Sequence, residues 1–120
     1  MDNEDNMNDK GLWGENLAGE YLKDLGYSPL FSNFSWKFGE IDLIMKDNEY
    51  IVFIEVRSLQ NTTSIHPIET INKNKIRKIK KTAELFLHKN NLHEALCRFD
   101  FISIQGNPEK YIIEHFKDAF

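Results

Sequence analysis

The sequence predicts an α/β domain of the α+β kind: a central mixed β-sheet flanked by α-helices, in the order αβββαββ. Three observations predict it. Two segments carry apolar residues at helical spacing. Two adjacent runs, Gly39 to Lys46 and Tyr50 to Arg57, are rich in β-branched and aromatic residues. A third such region, Arg98 to Phe116, is broken by Gly106-Asn107-Pro108, a turn signal that reads as a second hairpin.

The elements follow in order. Residues 1–9 are polar and acidic and read as a disordered lead-in. Residues 10–120 read as one domain, because no linker or repeat divides them and 120 residues suit a single core. Leu12 to Leu25 is the first helix, with Leu17, Ala18, Tyr21, Leu22 and Leu25 on one face and Gly26 as its stop. Pro29 to Phe34 is a short strand after a Ser28-Pro29 turn signal. The two clear strands are joined by the polar turn Asp47-Asn48-Glu49. Ser58 to Pro67 is a polar loop. A long helix runs from about Ile68 to Asn90, its stripe made by Ile68, Ile71, Ile79, Ala83 and Phe86.

Composition excludes several classes. Hydrophobic content of 41% and charged content of 28% are those of an ordinary globule. The N-terminus lacks the apolar segment of a signal peptide, and no run is long enough to cross a bilayer as a helix. The single cysteine, Cys97, forms no intrachain disulfide, which fits a reducing, cytoplasmic setting. His66, His88, His93 and His115 lack metal-ligand spacing, so zinc is not expected. No serine sits in a nucleophile motif. Asp100 beside Arg98 reads as a structural ion pair, and Trp13 and Trp36 as core and loop packing. Net charge is -4, of which -3 falls in the first ten residues. Lys73, Lys75, Arg77, Lys78, Lys80 and Lys81 form a cationic run without an acid among them. It reads either as a phosphate-holding patch or as a solvated helix face.

The 39–57 hairpin carries the chemistry. Side chains alternate faces along a strand, so Asp42 shares a face with Glu40 and Ile44, and Glu55 with Arg57, Phe53 and Ile51. A two- or four-residue loop pairs Asp47 with Tyr50 and therefore sets Asp42 opposite Glu55, with Cβ atoms roughly 5 Å apart. Facing carboxylates repel each other. A divalent cation, the neighbouring Arg57 or a raised pKa must offset that cost. The plainer reading is a surface hairpin with a Glu-Arg pair. Against it, both acids are flanked by apolar strand residues.

The spacing Asp-x(12)-Glu-x-basic resembles the PD-(D/E)xK nuclease superfamily. The whole chain after about Gly11 resembles more closely the YraN family (UPF0102), whose relatives by fold include archaeal Holliday-junction resolvases. The matching stretches are Gly14-Glu15, Asn33, Gly39-Glu40-Ile41-Asp42-Leu43-Ile44 and Val52-Phe53-Ile54-Glu55-Val56-Arg57. Lys75, Arg77 to Ile79, Arg98-Phe99-Asp100 and Ala119-Phe120 complete them. The resemblance implies a restriction-endonuclease-like three-layer fold and phosphodiester hydrolysis, with DNA (branched or single-stranded) as partner. It implies Mg²⁺, or Mn²⁺, held by Asp42, Glu55 and the Val56 carbonyl, with Glu15 as a helix-borne acid beside them.

Glu15 also fits by helical position, at the border of the apolar face, although the helix macrodipole alone would favour an acid there. One residue departs from the pattern. The superfamily signature ends in lysine, whereas this chain has Arg57, which keeps its charge but does not give up a proton. That leaves a second reading, a catalytically impaired nucleic-acid-binding domain of the same fold. Lys75 lies within the apolar stripe of the long helix. Either it reaches the acidic site and supplies the missing ammonium, or it snorkels from the stripe's edge. Lys73, Arg77, Lys78, Lys80 and Lys81 are the expected nucleic-acid contacts. A homodimer through an exposed hairpin edge is open to this chain.

Overall fold

The computed structural model describes residues 3–37, 39–59 and 66–120, with side chains from Leu12 onward. Helix α1 spans Asn3–Asp24, strand β1 Ser28–Trp36, β2 Gly39–Asp47 and β3 Tyr50–Leu59. A 3-10 turn at Pro67–Thr70 precedes helix α2, Lys73–Lys89, and the chain closes with β4, Leu96–Asn107, and β5, Lys110–Phe116. The order is the expected one.

The five strands lie in sequence order, β1-β2-β3-β4-β5. β3 and β4 are parallel and the other neighbours antiparallel. A parallel pair needs a crossover, which the 3-10 turn and α2 supply. α1 packs on one face over Leu43, Met45, Val52, Ile54, Ile102 and Ile104. α2 packs on the other over Ile41, Ile44, Ile51 and Phe53. Helix, sheet and helix make the three layers.

Several boundaries move. α1 is described from Asn3, so its range covers most of residues 1–9, read as a disordered lead-in. Its end is a Schellman motif. Gly26 has φ +100°, its N–H donates to the Lys23 carbonyl, and the Tyr27 N–H donates to that of Leu22.

α2 starts at Lys73 rather than near Ile68. The Asn72 side chain accepts from the Lys75 N–H at 2.8 Å and caps the helix there. The preceding residues form their own turn, capped by His66 with Glu69. β1 runs two residues past Phe34, and β4 begins at Leu96. Most of the expected Ser58 to Pro67 loop, residues 60–65, lies outside the described residues. Among the described residues no helix is long and apolar enough to cross a membrane.

Candidate functional site

The β2–β3 register is the one the turn predicts. Asp47 pairs with Tyr50, Lys46 with Ile51 and, at the far end, Leu43 with Ile54. The ladder stops there. Continuing the count places Asp42 opposite Glu55. The Val56 N–H, the next to face β2, donates instead to Asp42 Oδ2 at 2.8 Å. The Asp42 carboxylate thus takes the place of a backbone partner where the strands part. Ile41 and Ile44 both pack under α2 although they are three residues apart, so strict alternation of faces slips around Asp42.

Glu55 is buried, 5% exposed, and its Oε2 carries two cationic partners. Lys75 Nζ lies at 2.8 Å and Arg57 Nη2 at 3.2 Å. Lys75 therefore does reach the acidic pair. Asp42 is half-buried. Burial, then the Glu55 charge and that of Glu15, push its carboxyl up to about 8 against the lowering effect of the Val56 N–H. Glu15 is also raised, first by burial and then by Glu40 and Glu55, while a hydrogen bond with Asn33 opposes the rise. Asn33 itself has φ +55°, a conformation asparagine tolerates better than most residues.

A cavity of about 360 Å³ lies beneath the first turns of α2, lined by Glu40, Asp42, Glu55, Asn72, Lys75 and Lys78. The donors suit a hard divalent cation. Two carboxylates meet at the ladder's end. A strand residue's N–H and C=O face the same neighbour, so the Val56 carbonyl opens on the Asp42 side as well. All three donors are oxygens, as Mg²⁺ prefers. Among the described residues no group of three or more His, Cys, Asp or Glu side chains is arranged to hold a metal, so the backbone carbonyl would have to be the third protein donor.

The site thus brings together Asp42, Glu55, Val56, Arg57 and Lys75, with Glu15 coupled through its charge. The cationic run divides. Lys78 joins Lys75 at the acidic cavity, away from the group to which sequence spacing assigned it. Lys73, Arg77, Lys80 and Lys81 line a separate groove of about 490 Å³ along the outer side of α2.

Asn33, Glu40 and Asn72 were not assigned roles from the sequence. Glu40 shared a face with Asp42 in the alternation, but the Asn33–Glu15 hydrogen bond joins two elements and has no local signal. The Arg98–Asp100 pair is present, with Arg98 Nε 2.9 Å from Asp100 Oδ1. Trp13 packs against the α1-side core. Trp36 does not pack in the core: it is 43% exposed at the end of β1, with the Lys89 ammonium over its ring.

The model of a family described as uncharacterised protein family UPF0102 matches residues 14–104. A UPF0102 protein of Persephonella marina is 47% identical over 111 residues, 92% of this chain and 92% of the relative. One from Clostridium botulinum strain 657 is 43% identical, covering 93% and 94%. One from Carboxydothermus hydrogenoformans is 34% identical, covering 95% and 97%.

Proposed function

The chain belongs to the uncharacterised protein family UPF0102, and from that premise and the site's geometry we propose that it is a metal-dependent nuclease that hydrolyses phosphodiesters in branched or single-stranded DNA in the cytoplasm. The observation that carries this reading is the Lys75 ammonium at 2.8 Å from Glu55, beside Asp42. An acidic pair with an ammonium on it is the set of groups the nuclease signature requires. Here the ammonium comes from α2 rather than from the strand.

Asp42, Glu55 and the Val56 carbonyl would hold Mg²⁺ or Mn²⁺. Bound there, the cation supplies Lewis-acid polarisation and lowers the pKa of an attacking water. Lys75 would supply a positive charge to that water from the Glu55 side. Arg57 holds Glu55 in place and adds fixed positive charge without exchanging a proton. Lys78, at the rim of the same cavity, meets the incoming phosphate. Glu15 adds a third acid to the field around Asp42.

Cleavage of flap, junction and single-stranded DNA in Mg²⁺ or Mn²⁺ tests the assignment. Asp42→Asn is expected to abolish cleavage, and Lys75→Ala to slow it about 100-fold. Cleavage that persists in Asp42→Asn overturns the site; an unchanged rate in Lys75→Ala overturns the role of the lysine. A second reading, DNA binding without turnover, is favoured by Arg57 and by the two cations already on Glu55 Oε2. It predicts salt-sensitive binding and no cleavage of any of the three substrates.

A further inference from the structure

We propose that Trp36, with Lys89 beside it, is the stacking platform for one unpaired base of the strand whose phosphate enters the acidic cavity; this rests on the nuclease reading above. The two places share a wall. Gly39 lines the acidic cavity and is also the β2 partner of Trp36 in the β1–β2 ladder. Paired residues of an antiparallel ladder have Cα atoms about 5 Å apart, so Trp36 stands one strand from the cavity. Lys78 lines the same cavity, and a Cβ on Gly39 would lie 3.4 Å from the Lys78 Cβ. Gly39 thus seats this end of the hairpin against α2.

Three observations point to a base as the occupant. First, the indole is open although an aromatic cluster lies next to it. Phe31, Phe34 and Phe86 meet edge to face, with centroids 5.2 to 6.2 Å apart. Trp36 is 43% exposed, and among the described residues no ring packs against it. An open indole is the surface on which a base stacks.

Second, cations flank it. Lys78, Thr82 and Lys89 fall on one stripe of α2, on the side opposite the Lys73–Arg77 groove. Lys78 and Lys89 are about 16 Å apart along the axis at the α-helical rise. Positive charge therefore stands at the cavity and again at the platform, and exposed Lys37 follows Trp36 in the chain. Glu40, the acid nearest Trp36 in sequence, lines the cavity itself.

Third, the Lys89 ammonium lies 5.0 Å from the centre of the Trp36 ring. The helix dipole alone accounts for a lysine in the last turn, but not for the open indole. A surface ammonium holds a ring more weakly than a stacked base does. A base that takes the ring face leaves the ammonium beside its own phosphate. Bases within a duplex are already stacked on both faces, so the platform takes one from an unpaired stretch. Every base has a π-face, so the platform tolerates any sequence.

The test makes Trp36 the sole tryptophan with Trp13→Phe and follows its fluorescence, without a divalent cation so that the strand stays whole. Oligothymidylate is expected to quench it, and a blunt duplex of the same length to leave it nearly unchanged. By fluorescence anisotropy in the otherwise unchanged chain, Trp36→Ala is expected to weaken single-strand binding about tenfold, the scale of one lost base stack, and Trp36→Phe to restore most of it. The circular dichroism and melting temperature of Trp36→Ala should match those of the wild type, because the side chain is exposed. In Mg²⁺, an abasic nucleotide moved along the strand is expected to slow cleavage at one position fixed relative to the cut. Absence of single-strand binding, wild-type affinity in Trp36→Ala, or equal quenching by the duplex overturns the platform even where Asp42-dependent cleavage stands. Quenching that grows with protein concentration without DNA assigns the indole to a second copy of the chain and overturns it too. Trp36-dependent binding with cleavage that ignores Asp42→Asn leaves the platform and overturns the nuclease reading instead.

Discussion

Asp42 and Asp100 are both aspartates set among apolar strand residues, and their surroundings push them in opposite directions. Asp42 is raised, first by burial and then by the acids it faces. Burial alone would raise Asp100 too, but hydrogen bonds from His115, Arg98 and the Asp118 N–H, with the Arg98 charge, outweigh it and hold its carboxyl at about 2. Its ordinary value is 3.8. The folded state thus binds fewer protons than the unfolded chain between these values. Asp100 therefore stabilises the fold above about pH 4, on the order of 2 kcal/mol, and that contribution is lost as pH falls toward 2. Asp100→Asn is expected to cost about 3 kcal/mol at pH 7, because it leaves Arg98, 13% exposed, against one fewer carboxylate. Urea unfolding should show the gap to wild type narrowing below about pH 4; a gap independent of pH would assign the cost to packing. At this scale the sequence was partly legible. The facing of Asp42 and Glu55 followed from strand alternation and a countable turn. Whether Lys75 reached Glu55 did not, since a helical wheel gives direction without distance. His115 lies fifteen positions from Asp100 and meets it only through the β4–β5 pairing.

At the scale of elements, periodicity found both α-helices and the five strands of the described residues, merged the 3-10 turn into the second helix and misplaced some ends. Ile68 and Ile71 continue the apolar stripe of α2, so the pattern ran through them. What stops the helix is side-chain capping by His66 and Asn72, which hydrophobic spacing does not register. The β4–β5 hairpin was legible through Gly106, and the structure gives the physical reason. Gly106 has φ +123°, and a Cβ there would run into the Lys110 carbonyl of the facing strand. Gly26 also has positive φ, yet a Cβ there would meet nothing within 4 Å. Gly106→Ala is accordingly expected to cost about 3 kcal/mol, and Gly26→Ala about 1 kcal/mol. Chemical denaturation of the two variants checks the order. Equal losses would mean that backbone conformation, rather than the steric contact, sets the cost.

At the scale of the whole molecule, the layers give an acidic protein two separate cationic surfaces, and the proposed nuclease reading assigns each a part. Net charge is -4, so on that reading DNA binding would have to come from a local surface. α2 provides two such surfaces. Its site-facing side carries Lys75 and Lys78 into the acidic cavity, where positive charge is partly spent on Glu55. Its outer side carries Lys73, Arg77, Lys80 and Lys81, with Glu84 the only acid among the described residues that line that groove. A strand entering the site along α2 would meet the outer row through its phosphates and the inner row at the bond to be cut. The two rows should then separate in their salt dependence. Replacing Lys73 and Arg77 together with glutamine is expected to reduce the slope of log affinity against log salt by roughly 1.5 for single-stranded DNA, while leaving the rate at saturating DNA near that of the wild type. Lys78→Gln should instead lower the saturated rate. Fluorescence-anisotropy titrations at several salt concentrations, paired with single-turnover cleavage, measure both quantities. If the double variant keeps the wild-type slope, the outer groove is a solvated helix face and the DNA path lies elsewhere on the sheet end.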